Sequence, residues 1–533
     1  MIIIVPAGGQ GLTAHGELET SLHLVQTPLY TGAKGFWRDS FTRAVQDVDA
    51  ELSWDISAIL SYLSFNYVLG DRTLLNEVTR RPWLSKIGSN GIPQLEAIPK
   101  HGRRWQSCKE ISTFLVERLC DEAVRACSGH SEIYILLSGG LDSRIVSGVV
   151  AKARKEGRIE GSPVAVTWGA EDSRDVAYAR RVAQILGFEW VHVPLEPDQI
   201  LGNIRLAAEH LGCLISPVHL HCMGWFEKVA ADSVVLAGSY GDSVGRAEFS
   251  GSHLLELKYL RPRDHFELIR TEFLTSASEQ ISQDLAALHC RSPEAPQYMI
   301  CEYEMQGHYM RNMHMHTTSL INRYSKVYQM FTDPDVYQYM WSLHPSLRFD
   351  RIYAATLEAL EPRLARLPWA RTNRALKGRT EYVSRGLKKD FHRYEEWISG
   401  PLFLELEQMV DLDWYADCGF WNLDGIRKVI DRVRQRSISI GFNTYERLVW
   451  LAALPQMAQV LGREIRPDDR ARHDSPVTLQ MAPARGPSLA MRMFYMFRSI
   501  PLVSGLMEFI RRQRKRIRRA MLKIWFIYKY PPT

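Results

Sequence analysis

Residues 134–148 read YILLSGGLDSRIVSG, and this stretch constrains the fold more than any other. IYILL (133–137) is a short apolar run bounded by turn chemistry, which predicts a strand buried on both faces. Residues 144–155 predict a helix, its start set near Asp142. Between strand and helix stand Ser138, Gly139 and Gly140, then Leu141, Asp142 and Ser143. The glycines permit φ > 0 turns and close approach of a ligand to the backbone. A helix N-terminus adds unpaired N–H donors and the positive end of its dipole, which together favour an anion. The hydroxyls of Ser138 and Ser143 add donors, whereas Asp142 would repel a phosphate unless a divalent cation lay between them. Mg²⁺ takes carboxylate and phosphate oxygens together, so the stretch predicts a magnesium-bound polyphosphate. It is not a Walker A loop, which needs GxxxxGK[ST].

The same rhythm continues down the chain. PVAVTW (163–168), WVHV (190–193) and SVVLA (233–237) read as strands, and residues 174–186 and 198–212 as helices, with Gly187 as a stop. Upstream, residues 111–126 have helical spacing. Alternating strands and helices predict an α/β fold with a doubly wound parallel sheet, in which ligands sit beyond the carboxyl ends of the strands. Residues 1–105 read as a small β-containing N-terminal domain. From about 250 to 465 the strand signal fades into a large helical layer, with helices expected over 266–288 and over 353–361, the latter stopped by Pro362. Residues 466–533 read as a linker and a basic amphipathic tail.

LSGGLDS resembles the pyrophosphate loop of the ATP-pyrophosphatase superfamily. Within it the chain resembles the synthetase domain of the asparagine synthetase family, whose relatives include β-lactam synthetases and lasso-peptide cyclases. Further matching stretches are Val166–Gly169 with Asp175 and the Ala179-Arg180-Arg181-Val182-Ala183 helix, then VVLAGSYGDSVG (234–245) and, loosely, VYQMFTDPDV (327–336). The resemblance implies an ATP- and Mg²⁺-dependent amide-forming ligase that activates a carboxylate as an acyl-adenylate and releases pyrophosphate. It implies that Ser138, Gly139, Gly140, Asp142 and Ser143 hold the pyrophosphate. Asp142 and Asp242 would share the metal, and Leu137, Trp168, Ala237 and Gly238 would line the adenosine pocket.

Three departures from that family stand out. Glutamine-dependent members begin with a catalytic cysteine after Met, but here residue 2 is Ile and the first cysteine is Cys108. Residues 67–77 (YVLGDRTLLNE) resemble the end of a glutaminase domain, so the N-terminal part reads as a truncated remnant, with ammonia or an amine supplied from elsewhere. The family's G-E-G-x-D-E loop is here Gly238-Ser239-Tyr240-Gly241-Asp242-Ser243, which replaces both glutamates and leaves the amine without its expected proton acceptor. Tyr240 is nearby, although a phenol is a weak base unless its surroundings shift it. The family's catalytic lysine has no clean counterpart. Arg371, Arg374 and Lys377 in WARTNRALKGR are the candidates, and Arg144 is placed to reach phosphate.

Composition excludes several other classes. The net charge of +6 hides nine Lys/Arg and no acid between residues 511 and 529, so the rest of the chain sums to about −3 and is no basic nucleic-acid-binding surface. The tail suits an anionic membrane surface or an acidic partner, or is simply a solvated basic helix. Eight cysteines without a CxxC pair predict reduced, mostly buried thiols, and the start lacks the basic n-region of a signal peptide, so a cytoplasmic location is expected. His219, His221 and Cys222, with His308, His314 and His316, match no closed zinc pattern and read as packing or surface histidines. Two alternatives stay open: a peptide or small-molecule cyclase of the same chemistry, and a catalytically silent nucleotide-binding or membrane-associated scaffold.

Overall fold

A computed structural model of the chain describes residues 28–467, apart from short stretches at 34–35, 100, 103, 249, 251–256, 258–261, 293–296, 378–385 and 437–440. The basic tail lies outside the described residues.

The centre is a five-stranded, all-parallel sheet. In chain order its elements are helix α1 (Cys108–Cys127), strand β1 (Ile133–Leu136), α2 (Asp142–Lys155), β2 (Val164–Trp168), α3 (Arg174–Leu186), β3 (Glu189–Val193), α4 (Asp198–Leu211), β4 (Val234–Ala237) and β5 (Lys326–Gln329). In space the strands run β5-β4-β1-β2-β3, every pair parallel. The chain therefore moves outward from β1 through β2 to β3, then crosses back to lay β4 on the other side of β1. Connections leaving β1 and β4 diverge there and open a crevice at the carboxyl ends of the two strands.

Apolar residues on both faces explain why β1, β2 and β4 become interior strands. Ile133, Ile135, Leu137, Val234 and Leu236 join a core with α1 and α2, while Leu136, Val166, Val235 and Ala237 join a second core with α4 and helix α5 (Phe442–Leu461). Helix starts follow local chemistry. Ser107 and Glu110 form a reciprocal capping box at α1, and Ser173 accepts from the Val176 amide at α3. Gly187 ends α3 in the left-handed region, φ 68°, as its position predicts.

Before the sheet, Tyr30–Ala33, Phe36–Arg38 and Thr79–Arg80 form a small antiparallel sheet. Apart from the small cluster of Leu29, Trp37 and Ile87, this region shares its core with the rest of the molecule. Tyr30, Phe41, Trp54 and Tyr62 share the core of α4 and α5, Tyr62 stacks on Trp450 at 4.3 Å, and Leu52–Ser53 pairs with Ile465–Arg466.

Three expectations about elements change. β5 stands where no strand is expected, because KVYQ is an edge strand with one fully buried residue and little apolar signal. The helix expected over 266–288 is Leu274–Cys290, since 266–270 is held in non-helical form by the Ile269–Trp421 bridge and the Asp264 carboxylate. Pro362 does more than stop a helix at Leu360, because it opens another, Pro362–Arg366, from the N1 position.

β5 leads into a strained turn. Phe331 has φ 72°, unusual for a bulky residue, and the fully buried Glu122 of α1 holds the turn by accepting from the amides of Phe331 (3.1 Å), Thr332 (3.0 Å) and Asp333 (2.9 Å). Burial pushes the Glu122 carboxyl up to about 7 despite those donors. A raised carboxylate keeps its proton in the folded state at pH values where the unfolded chain has lost it, so Glu122 subtracts stability as pH rises from the ordinary carboxylate range to about 7. We predict that Glu122→Gln flattens that part of the stability profile. Glu122→Ala, which orphans the turn amides, costs about 2–4 kcal/mol in denaturant unfolding at pH 6.

Candidate active site

The crevice between β1 and β4 deepens into a cavity of about 480 Å³. The loop after β1 forms its floor. The Ser138 amide donates to Ser143 Oγ (3.1 Å), the two hydroxyls lie 3.0 Å apart, and the Gly140 amide donates to Ser138 Oγ (3.1 Å). The Gly139 amide donates to Asp175 Oδ1 at the start of α3 (3.1 Å). α2 starts at Asp142, so its unpaired N–H groups and positive dipole end face the same point.

The glycines do not supply the φ > 0 turns expected of them. Neither Gly139 nor Gly140 has positive φ. A Cβ on Gly139 would meet Ala370 Cβ at 2.8 Å and Asp175 Cα at 3.0 Å, and one on Gly241 would lie 2.5 Å from Asp142 Oδ1. Their role is close packing of one loop on the next. The second contact places the loop after β4 directly on Asp142.

Asp142 and Asp242 thus come from neighbouring strand ends and line one cavity. Each keeps an Oδ1 buried without a hydrogen-bond partner among the described residues. Burial first, then the charge of Asp142, raises the Asp242 carboxyl, and Arg246 opposes the shift. Arg246 is the residue that the sequence motifs do not reveal. Only 4% of its side chain is exposed, it lies against the rings of Tyr353 and Trp369, and it pairs with Asp142 (3.4 Å), Glu248 (3.4 Å) and Asp350 (3.2 Å). Tyr353 in turn donates to the Gly241 carbonyl at 2.7 Å, fixing the second loop.

Two orphaned carboxylate oxygens on separate loops, beside a helix N-terminus, fit a magnesium ion that brings its own phosphate ligands. Among the described residues no group of three His, Cys, Asp or Glu is placed to hold a metal by itself. A cation that arrives with a polyphosphate suits this donor set better than a resident metal.

Other candidates divide by position. Leu137, Ser138, Gly140, Asp142, Ser143, Trp168, Ala237, Gly238 and Asp242 all line the cavity, while Gly139 lies behind it. Arg371 lines an adjoining hollow of about 250 Å³ that shares Gly140, Asp175 and Phe391 with the cavity, and it pairs with Glu248 at 3.1 Å. Lys377 lines neither space and sits at the surface 3.7 Å from Glu358. Tyr240 is buried in the core beside α1 and α2, where burial raises its phenol still further, so it is not placed to take up a proton near neutrality. Arg144 is fully buried and donates to the carbonyls of Gly139, Leu364, Leu367 and Pro368, so it braces the loop from behind and does not reach the cavity. Three histidines read from the sequence as packing or surface residues, His219, His221 and His314, stand on the cavity wall.

Compared with known proteins, residues 115–331 match the family model described as Asparagine synthase. Curated relatives include the asparagine synthetase [glutamine-hydrolyzing] of Pongo abelii, 28% identical over 161 residues (27% of this chain, 28% of that protein). The Mesocricetus auratus protein of that name is 28% identical over 179 residues (30% and 31%), and the Homo sapiens one 27% over 161 (27% and 28%). The chain therefore spans less than a third of the length of these relatives.

Asp242→Asn separates stability from activity. It removes a carboxylate whose raised value costs stability as pH climbs above the ordinary carboxylate range, so the metal-free variant melts at a higher temperature than the wild type at pH 8. The same change lowers magnesium-dependent ATP turnover by about 10²–10³, the scale seen when one preorganised electrostatic contact is removed.

Proposed function

We propose that this chain, whose residues 115–331 belong to the asparagine synthase family, is an ATP-dependent ligase that joins a carboxylate to an amine. The observation carrying the reading is the meeting of Asp142 and Asp242, each with an unpartnered oxygen, at the N-terminus of α2. In this reading the carboxylate attacks the α-phosphorus of ATP, giving an acyl-adenylate and pyrophosphate, and an amine or ammonia then displaces AMP to leave an amide. Splitting the condensation in this way divides one difficult step into two feasible ones.

The chain's residues have defined parts to play. The loop over 138–143 and the α2 N-terminus hold the β and γ phosphates, with Arg246 as a fixed positive charge nearby. Magnesium, held by Asp142 and Asp242, would neutralise charge on the leaving pyrophosphate. Leu137, Trp168, Ala237 and Gly238 form the wall suited to the nucleoside, and Arg371 and Lys389 line the adjoining hollow.

Substrate identity departs from asparagine formation on one specific observation. The Gly238–Ser243 loop has serine where the family has both glutamates, and no Lys or Arg lines the large cavity among the described residues. Free aspartate would need a cation for its second carboxylate. Amidation or cyclisation of a less acidic substrate fits better. The unaltered pyrophosphate loop and Asp242 weigh against a silent scaffold.

A pyrophosphate-release screen with ATP, Mg²⁺, ammonium and a panel of aspartate, other amino-acid carboxylates and peptides tests the proposal. We expect release with at least one member other than aspartate, AMP rather than ADP as co-product, and loss of about 10²-fold or more in Asp142→Asn. ADP formation, or turnover unchanged in Asp142→Asn, contradicts it.

A further inference from the structure

The amide-forming step needs a base, because an attacking amine must shed a proton, and the residues nearest in sequence do not supply one. Asp142 and Asp242 are assigned to the proposed cation, Asp175 is engaged by the Gly139 amide, and Tyr240 is buried away from the cavity. Of the three wall histidines, burial pushes His221 down to about 3 and His314 down to about 4, which makes both poor proton acceptors.

His219 differs. It lies in the short turn Pro217–Leu220, 24% of its side chain is exposed, and its Nε2 is 3.0 Å from Oε1 of Glu446 on α5. Glu446 is almost fully buried, with 2% of its side chain exposed. Burial works to raise its carboxyl, but the His219 hydrogen bond and charge, with Arg447 behind, outweigh this and hold it below the usual range. An ionised Glu446 accepts from Nε2–H and so assigns the tautomer, leaving the Nδ1 lone pair free. The His219 side chain makes no other hydrogen bond among the described residues.

The turn that presents His219 is rigidly held. Cys213 (φ 52°) and His221 (φ 46°) bracket it in the left-handed region. Trp450 Nε1 donates to the Cys213 carbonyl (2.9 Å), Ser216 Oγ to the Glu446 carbonyl (3.4 Å) and Asn203 Nδ2 to the His221 carbonyl (2.8 Å). Strained backbone pinned on both sides of a cavity-lining histidine, with a buried carboxylate behind it, is an arrangement for orienting a side chain.

We propose that His219, oriented by Glu446, is the general base of amide formation. The inference rests on the ligase reading above. The amine nitrogen bonds to the acyl carbon, the bond from that carbon to the adenylate oxygen breaks, AMP leaves with the electron pair, and the amine proton passes to His219 Nδ1. Glu446 compensates the imidazolium charge, as the orienting acid does in a nucleophile–histidine–carboxylate triad. His219 would be a catalytic residue, and Glu446 a positioning residue.

Two half-reactions separate this role from substrate activation. ATP–pyrophosphate exchange, with whichever carboxylate in the panel exchanges fastest, reads activation alone. Product formation with ammonia reads the whole reaction, and capture by hydroxylamine, largely unprotonated at neutral pH, reads attack that needs less help. His219→Gln should keep exchange within about threefold and hydroxamate formation nearly so, and lose about 10²–10⁴ in amide formation with ammonia. Free imidazole should restore part of that loss to His219→Ala. Glu446→Gln should show a smaller loss and a displaced acidic limb in the pH–rate profile. The other titratable groups that face His219, namely His221, His314 and His392, are held low by burial and do not contribute that limb. Wild-type amide formation in His219→Gln, or exchange and amide formation falling in equal proportion, overturns the assignment. Failure of the wild type to exchange with any carboxylate overturns the ligase reading, and this inference with it.

Discussion

Two carboxylates of like charge stand at one point, and the rest of the site is arranged around that fact. Asp142 and Asp242 are delivered by adjacent parallel strands, and the loop bearing the second packs on the first so closely that Gly241 has no room for a side chain. Left to itself such a pair is costly, since burial and then the charge of Asp142 raise the Asp242 carboxyl. Arg246 offsets part of the charge but pairs with Asp142, Glu248 and Asp350, and leaves both Oδ1 atoms unpartnered. An uncompensated pair persists in a fold when something outside the chain completes it. A cation carrying phosphate is the complement that matches the donor type, the helix N-terminus and the surrounding hydroxyls.

The architecture explains how so local a feature is built. A parallel sheet buried on both faces aligns all its carboxyl ends at one edge, and the reversal of strand order at β1/β4 separates the two connections and opens a space between them. Arg144 then pins the Gly139 carbonyl to residues 364–368, so the helical layer braces the loop from behind. On the far flank, α5 holds the turn with His219 and also packs against the N-terminal region through Tyr62 and Trp450. Phosphate loop, histidine wall and N-terminal region are parts of one packed body.

Much of this could be read directly from the chain, for reasons that also mark where reading stops. β1, β2 and β4 are apolar runs bounded by turn residues, and that pattern follows from being covered on both faces, while the edge strand β3 keeps the β-branched and aromatic run WVHV. β5 is an edge strand, half covered and polar, and shows no such pattern. The SGGLDS string could be read as a candidate anion site because its residues are neighbours in sequence, but its glycines lie outside the left-handed region and Gly139 packs closely on the next loop. Arg144 shows the converse error: a cation beside a phosphate loop looks like a ligand until its guanidinium is found facing four carbonyls. Arg246, His219 and Glu446 reach the site only through tertiary packing, with 227 positions separating the last two. No local spacing announces such a pair.

The central claim is that Asp142 and Asp242 share a divalent cation with the phosphates of ATP. Anomalous scattering from crystals grown with Mn²⁺ and a non-hydrolysable ATP analogue tests it most directly. The account predicts one manganese peak within coordinating distance of both carboxylates and of analogue phosphate oxygens, with the phosphates at the N-terminus of α2. A nucleotide bound elsewhere, or a metal touching neither aspartate, would contradict it.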